Sequence, residues 1–353
     1  MVEWLAGNRI IGTKQERTST DFSVVGGWKE VARTTLGTAT TTIDVSSIPD
    51  KKYYITLLSS VGLSQAATSR FRYNGITTNT KAYTQSSDGG GDSSDPTVNG
   101  INIKSGSSTE LPWFNVGYHT NVSGKEKIMM SNTVQQNASG EAVAPSRDEI
   151  VGKQDLTSVI NQITSFLASS GSYSSGCELV VLGYDPDDIH TDNFWEELGT
   201  VSGNGSSDIL NVDIAAKKYL WVQYYLDVSA TYTPEMRFNG STASEYNNRY
   251  SLYGSNPTPT HSTDAAATGY YPSMGGDDPQ FNNMFIVNIA SKEKLMYNWC
   301  AYQGDAGASS SLSRVQSVGK WDNNAQIKSI KMESNGTNSA LSTNSIMKVW
   351  GHD

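Results

Sequence analysis

Leu156-Thr157-Ser158-Val159-Ile160-Asn161-Gln162-Ile163-Thr164-Ser165-Phe166-Leu167 is the one stretch of this chain with apolar residues near three- and four-residue spacing. Taken alone it reads as a helix. A second stretch decides otherwise. Ile163-Thr164-Ser165-Phe166 aligns with Ile327-Lys328-Ser329-Ile330, followed by Lys331-Met332, where apolar and polar residues mostly alternate. Alternation is the period of a half-buried strand, so both segments read as strands, with a three-residue insertion ahead of the first. The chain then has no helical segment left and reads as all-β.

That alignment is one part of an internal repeat. Trp28-Lys29-Glu30-Val31 recurs as Trp195-Glu196-Glu197-Leu198, and Lys52-Tyr53 as Lys218-Tyr219. Arg72-Tyr73-Asn74-Gly75 recurs as Arg237-Phe238-Asn239-Gly240, and Lys125-Glu126-Lys127-Ile128-Met129 as Lys292-Glu293-Lys294-Leu295-Met296. Arg147 and Val151-Gly152-Lys153 match Arg314 and Val318-Gly319-Lys320. Leu182-Gly183-Tyr184-Asp185 matches Trp350-Gly351-His352-Asp353 at the close. Offsets stay between 164 and 168, which is too long for a solenoid unit, so each copy is expected to be a complete domain. The expected division is an arm over 1–25, one domain over 26–186 and a second over 187–353, joined by the proline-stiffened Asp185-Pro186-Asp187-Asp188.

Within each copy, short apolar runs such as Tyr53–Leu58 and Tyr219–Leu226 are bounded by Gly, Asn, Asp and Ser. Glu178–Tyr184 and Ser345–Trp350 read as closing strands. About eight strands per copy, joined by long polar segments, fit a β-sandwich of the jelly-roll kind. The segments Gln85–Ser108 and Tyr253–Gln280 occupy equivalent places, share almost no sequence, and read as divergent surface loops.

The composition agrees with this class and excludes others. Of 353 residues only 17% are charged and 10% are aromatic, with 32 glycines; a helical bundle would need far more Ala, Glu, Lys and Leu. A net charge of -9 argues against nucleic-acid binding, which runs on clustered Lys and Arg. No segment approaches a membrane span, and Met1 to Val25 lacks the apolar run of a secretory signal. The acidity is uneven: residues 1–186 carry 15 basic and 17 acidic side chains, residues 187–353 carry 11 and 18.

Candidate chemistry is sparse. Cys177 and Cys300 cannot make a disulfide framework and read as small buried thiols. His119, His190, His261 and His352 show no ligand spacing, so no metal is called for. Asp88, Asp92 and Asp95, with Asp277-Asp278 in the equivalent segment, could supply calcium ligands or merely solvate their loops. No nucleophile elbow or phosphate loop occurs, so neither an enzyme nor a cofactor is expected. The aromatic supply points to binding instead: Tyr250, Tyr253, Tyr270, Tyr271 and Tyr302 lie in or beside the second copy's loops. Such rings stack on sugars or dock a protein, unless they are interior residues of the sandwich. The Arg-x-Asn-Gly element reads as a strand running into a tight turn, and the fold alone explains it.

Taken in order, the Trp-x-Glu openings, the Arg-x-Asn-Gly turn, the Gly-Lys followed by Ile-x-Ser-Ile/Phe, and the closing Gly-x-Asp resemble the jelly-roll-type modules of tailed-phage virion proteins. Such modules occur in head fibres, decoration proteins and tail-fibre or receptor-binding tips. The arm, from Trp4-Leu5-Ala6-Gly7-Asn8-Arg9-Ile10-Ile11, resembles the start of two-module structural proteins of marine phages. The first copy departs at Gln154, where the second has Trp321, which sets the equivalence of the two modules' surfaces in question.

The resemblance implies a non-enzymatic structural protein of the virion, assembled in the host cytoplasm and oligomeric. It implies other virion proteins of the capsid or tail as partners, without nucleic acid or membrane. Trp4, Leu5, Arg9, Ile10 and Ile11 are the expected assembly residues of the arm. A receptor- or glycan-binding fibre module is the rival reading, and a polysaccharide-active enzyme a more distant one. The near-neutral first module and its arm are expected toward the particle, the acidic second module toward solvent.

Overall fold

A computed structural model describes residues 27–105, 110–185, 193–228, 230–253, 260–273, 275–276, 279–303, 312–335 and 340–353. The arm, including Trp4, Leu5, Arg9, Ile10 and Ile11, lies outside these residues, as do 186–192 of the connecting segment. Among the described residues there are 23 strands in four antiparallel sheets and no helix. The chain forms two compact units. The first comprises residues up to Thr133 together with Arg147–Glu196; the second comprises Val134–Ser146 and Glu197–Asp353.

The first unit is built from β1 (Lys29–Thr35), β2 (Thr42–Ser46), β3 (Tyr53–Ser60), β4 (Ser69–Tyr73), β5 (Lys81–Ser87), β6 (Ser93–Val98), β7 (Ile101–Lys104), β8 (Trp113–Thr120), β9 (Lys127–Gln135), β10 (Ser146–Gln154), β11 (Gln162–Leu167) and β12 (Glu178–Tyr184). Its large sheet runs β1-β12-β3-β8-β9-β10-β5-β6 and its small sheet runs β2-β11-β4-β7. Central strands are apolar on both faces: in β3 every residue after Tyr53 is buried, the pattern of a strand covered on two sides. β2, Thr-Ile-Asp-Val-Ser, alternates instead and buries only Ile43 and Val45. The core between the sheets gathers Ile43, Tyr54, Leu58, Phe71, Trp113, Ile163 and Val181.

The second unit repeats the plan with β13 (Glu196–Ser202), β14 (Leu210–Asp213), β15 (Tyr219–Leu226), β16 (Pro234–Phe238), β17 (Tyr246–Tyr253), β18 (Thr260–Ala267), β19 (Gln280–Val287), β20 (Lys294–Tyr302), β21 (Ser313–Trp321), β22 (Ser329–Ser334) and β23 (Ile346–His352). The sheet orders are β13-β23-β15-β19-β20-β21-β17-β18 and β14-β22-β16. Among the described residues no strand counterpart of β7 is formed. In its place isolated bridges join Met236 to Tyr270 and Tyr232 to Gly276, the first matching the pairing of Phe71 with Ile101 in the first unit.

The repeated residues hold this architecture. Asn74-Gly75 and Asn239-Gly240 both turn with φ positive at each position, closed by Ile76 N–H on Tyr73 O and Ser241 N–H on Phe238 O. Asn74 Oδ1 then accepts the N–H groups of Asn161 and Gln162, and Asn239 Oδ1 those of Lys328 and Ser329. A second staple recurs at Asn121 and Asn288, whose side chains accept from Ile160 N–H and Ile327 N–H. In Val-Gly-Lys, a Cβ on Gly152 would collide with Ile101, and one on Gly319 with Tyr270.

Three expectations need correction. Among the described residues the units have twelve and eleven strands rather than eight, and Gln85–Ser108 and Tyr253–Gln280 are not plain loops. They contain β6 and β7 in the first unit and β18 in the second, all three at sheet edges, with ladders to β5, β4 and β17. Only the second half of Leu156–Leu167 is strand; Leu156–Asn161 leads into it. The Gln154/Trp321 difference is internal, not a surface one, since both side chains are buried.

Candidate functional site

The five tyrosines singled out in the second copy do not converge on one surface. Tyr270 belongs to the core: it is fully buried, bridges to Met236, and its hydroxyl lies 2.8 Å from Ser317 Oγ. It is therefore not a stacking face, and the correction follows from its place opposite Gly319. Tyr250 and Tyr253 are three residues apart on β17 and so point to opposite faces of the sheet. Tyr250 is half-buried opposite Ser262 and Ser317. Tyr302 ends β20, with its hydroxyl beside Gly276. Tyr271 is half-buried and accepts a hydrogen bond from Asn335 Nδ2 at 2.6 Å. Burial first, and then the Glu235 carboxylate, raise its hydroxyl pKa.

Around Tyr253 the structure brings together residues that the sequence does not mark as partners. Tyr253 pairs with Arg314 across β17 and β21, and the guanidinium carbon stands 4.3 Å from the ring centroid. His261 of β18 meets the same ring edge-on at 6.1 Å. Its Nδ1 hydrogen bonds to Ser251 Oγ, the register partner across the edge ladder. Arg249, two residues along the same face, donates from Nε to Pro145 O at 2.7 Å. The result is a half-exposed aromatic ring flanked by a guanidinium and an imidazole. That arrangement offers a π face, a fixed positive charge and an imidazole, which suits a sugar ring or a polar, anionic group. Ser251 is buried beneath it, so the Ser–His contact is structural and presents no nucleophile.

The described acidic residues do not assemble a cation site. Asp88, with φ positive, accepts Arg147 N–H at its carboxylate and donates its own N–H to Arg147 O. Asp95 accepts from Tyr83 OH across the β5–β6 ladder, while Asp92 stands in solvent. Among the described residues no group of three or more His, Cys, Asp and Glu is placed to hold a metal. Asp277 and Asp278 lie outside the described residues. Both cysteines are free and buried, and burial pushes the Cys300 thiol up to about 12.

One buried titratable group had no sequence signal. His119 of β8 is enclosed between Thr56 Oγ1, 2.9 Å from Nε2, and Tyr73 OH, 2.8 Å from Nδ1. Burial lowers its pKa to about 3, so it stays neutral.

Comparison with known proteins adds little. No family model matches the chain, and no curated protein does. Among solved structures it is similar to Ail, the attachment invasion locus protein of Yersinia pestis, at 6% identity and a TM-score of 0.13, over 77% of this chain and 98% of that one. It is also similar to Neisserial surface protein A at 9% identity and a TM-score of 0.12, over 80% and 97% of the two chains. Scores this low define no common fold, and no property is carried over from either protein.

Proposed function

We propose that this chain is a non-enzymatic structural protein of a virion surface, made of two tandem jelly-roll modules and attached to other virion proteins through residues 1–25. The observation that carries this reading is what the duplication preserves. The matched residues Asn74/Asn239, Asn121/Asn288 and Gly152/Gly319 all hold strands together, so two copies of a scaffold were kept rather than two copies of a reaction centre. The strand order supports the jelly roll. With the insertions β5-β6 and β9-β10 set aside, the first unit's remaining eight strands follow the order first-eighth-third-sixth in one sheet and second-seventh-fourth-fifth in the other. Together with the resemblance of the repeated motifs, this supports a phage-type virion module. Removing residues 1–25 is expected to abolish incorporation into particles, measured by mass spectrometry of purified virions, while the thermal transition is kept. Full incorporation of the truncated chain would sink the anchoring role.

A second reading, recognition of a host-surface glycan or receptor, is favoured by the Tyr253–Arg314–His261 cluster. Purified protein binding to host cells or a glycan array should lose at least tenfold in affinity with Tyr253→Ala, with no change in melting temperature. Binding that is indifferent to both Tyr253→Ala and Arg314→Ala would remove the cluster from consideration.

A further inference from the structure

The two copies can be compared position by position, and at one place they differ sharply in exposure. Ile128, Met130, Val151 and Lys153 of β9 and β10 stand at a constant offset from Leu295, Tyr297, Val318 and Lys320 of β20 and β21. In the second unit Leu295 pairs with Lys320 and Tyr297 with Val318, so the four side chains form one patch on one sheet face. All four are buried there, Lys320 with none of its side chain exposed. In the first unit the same patch is open: Ile128 is 58% exposed, Met130 51% and Val151 55%. The ion pair on the patch is common to both copies. Lys153 Nζ lies 2.9 Å from Glu126, and Lys320 Nζ 3.5 Å from Glu293.

What the second copy has in addition is a segment seated on that pair. Val134–Ser146, the connection between β9 and β10, is part of the second unit. Its Ala138 carbonyl accepts from Lys320 Nζ at 2.5 Å, and its Gly140 N–H donates to Glu293 Oε1 at 2.8 Å. Its Glu141 carbonyl accepts from Ala266 N–H, and its Pro145 carbonyl from Arg249 Nε. The chain thus holds one such patch with its connection in place and one patch without. The corresponding connection of the second unit is residues 303–312 between β20 and β21, equal in length to 136–145 at the same offset. Both begin with Gln, are rich in Ala, Ser and Gly, and carry one acidic residue, Glu141 or Asp305. Residues 304–311 lie outside the described residues, and Leu312 beside them is strongly exposed.

We propose that the Ile128–Met130–Val151 face with its Lys153–Glu126 pair is a docking surface for a second copy of this chain, which brings to it the β20–β21 connection of its own second unit. Three large apolar side chains more than half exposed beside one another are what an uncovered interface presents. The contact is heterologous, one surface meeting a different one, so it links chains head to tail and yields rings or filaments. It concerns the purified chain by itself, and its failure would leave the virion reading where it stands.

Sedimentation velocity of the full-length protein tests this with two variants, Val151→Asp on the patch and a Gly-Ser replacement of residues 304–311 of equal length. Both changes lie at exposed or connecting positions, and unchanged melting temperatures verify that each variant is folded. The wild-type chain is expected to self-associate with rising concentration, and each variant alone to remain monomeric. An equimolar mixture of the two variants should form dimers and nothing larger, because each retains the half the other has lost. A wild-type chain that stays monomeric at every concentration, association that survives either change, or a mixture that stays monomeric would each overturn the proposal.

Discussion

At single positions the two copies show how one fold tolerates opposite chemistry. Thr56, Tyr73 and His119 form a buried hydrogen-bonded trio in the first unit. The positions that match them in the second carry Val222, Phe238 and Ile286, all buried and apolar. Removing one member of a buried polar network strands its partners, whereas replacing all of them by apolar groups of similar shape does not. His119→Ile alone is therefore expected to cost about 1–3 kcal/mol of unfolding free energy, by stranding Tyr73 OH and Thr56 Oγ1. The triple change Thr56→Val, Tyr73→Phe, His119→Ile should recover most of that loss in the same denaturant titration. A triple variant as unstable as the single one would show that the network contributes shape and not only satisfied polarity. The Gln154/Trp321 difference has the same character. Gln154 accepts from Tyr73 N–H and donates to Tyr73 O, a task that Tyr246 OH performs for Phe238, leaving Trp321 to pack on Tyr246 and donate to Glu245.

Among elements, the informative one is β7, which has no strand counterpart among the described residues of the second unit. Ile101 of β7 and Tyr270 lie against Gly152 and Gly319, and both glycines are required by that approach. Gly152→Val and Gly319→Val are each expected to cost about 1–3 kcal/mol by forcing the opposing side chain aside. Gly37, with nothing within 4 Å of its missing Cβ, should accept Ala with a change below about 0.5 kcal/mol. Differential scanning calorimetry of the three variants decides it; a tolerated Gly319→Val would mean Tyr270 is not fixed in the core. The strands β3, β12, β15 and β23 were legible because their residues are apolar and bounded by turn formers, and the turns because Asn-Gly was written twice. β6 and β18 were not. Ser-Ser-Asp-Pro-Thr-Val and Thr-His-Ser-Thr-Asp-Ala-Ala-Ala have no buried face of their own, and their order comes from β5 and β17 beside them. Tyr270-Tyr271 also misled, because adjacent residues face opposite ways, and one ring entered the core while the other stayed half outside. The Tyr253–Arg314 pair depends on register between two strands far apart in sequence, which no local spacing encodes.

At the scale of the molecule, acidity and stability respond to pH through different groups. The chain's net charge of -9 comes from an excess of carboxylates over Lys and Arg, yet strongly shifted groups are found among the buried His, Lys and Tyr. His119, held to about 3 by burial, binds a proton in the unfolded chain below pH about 6.5 but not in the folded one. Unfolding then takes up a proton, so stability falls as pH drops, by about 1.4 kcal/mol per pH unit between those two values. Burial likewise lowers Lys104 and Lys294 to about 8. Between pH 8 and the ordinary lysine value the unfolded chain holds protons that the folded one has released, so these two groups make stability rise with pH there. The buried tyrosines act in reverse: Tyr73, Tyr173 and Tyr246 are raised by burial, and Tyr54 to about 12. Above pH about 10 the unfolded chain loses tyrosine protons that the folded one keeps, and stability falls. Maximum stability is therefore expected on the alkaline side, near pH 9–10, well away from the sequence pI of about 5.0. Urea midpoints measured from pH 4 to pH 11 check the curve. His119→Ile should flatten its acidic limb below about 6.5 and leave the alkaline limb alone, because the lysines and tyrosines that shape the latter are untouched. A midpoint that peaks near neutrality and declines by pH 9 would mean Lys104 and Lys294 keep their protons in the fold, held by the Ala67, Lys292 and Asn323 carbonyls they donate to.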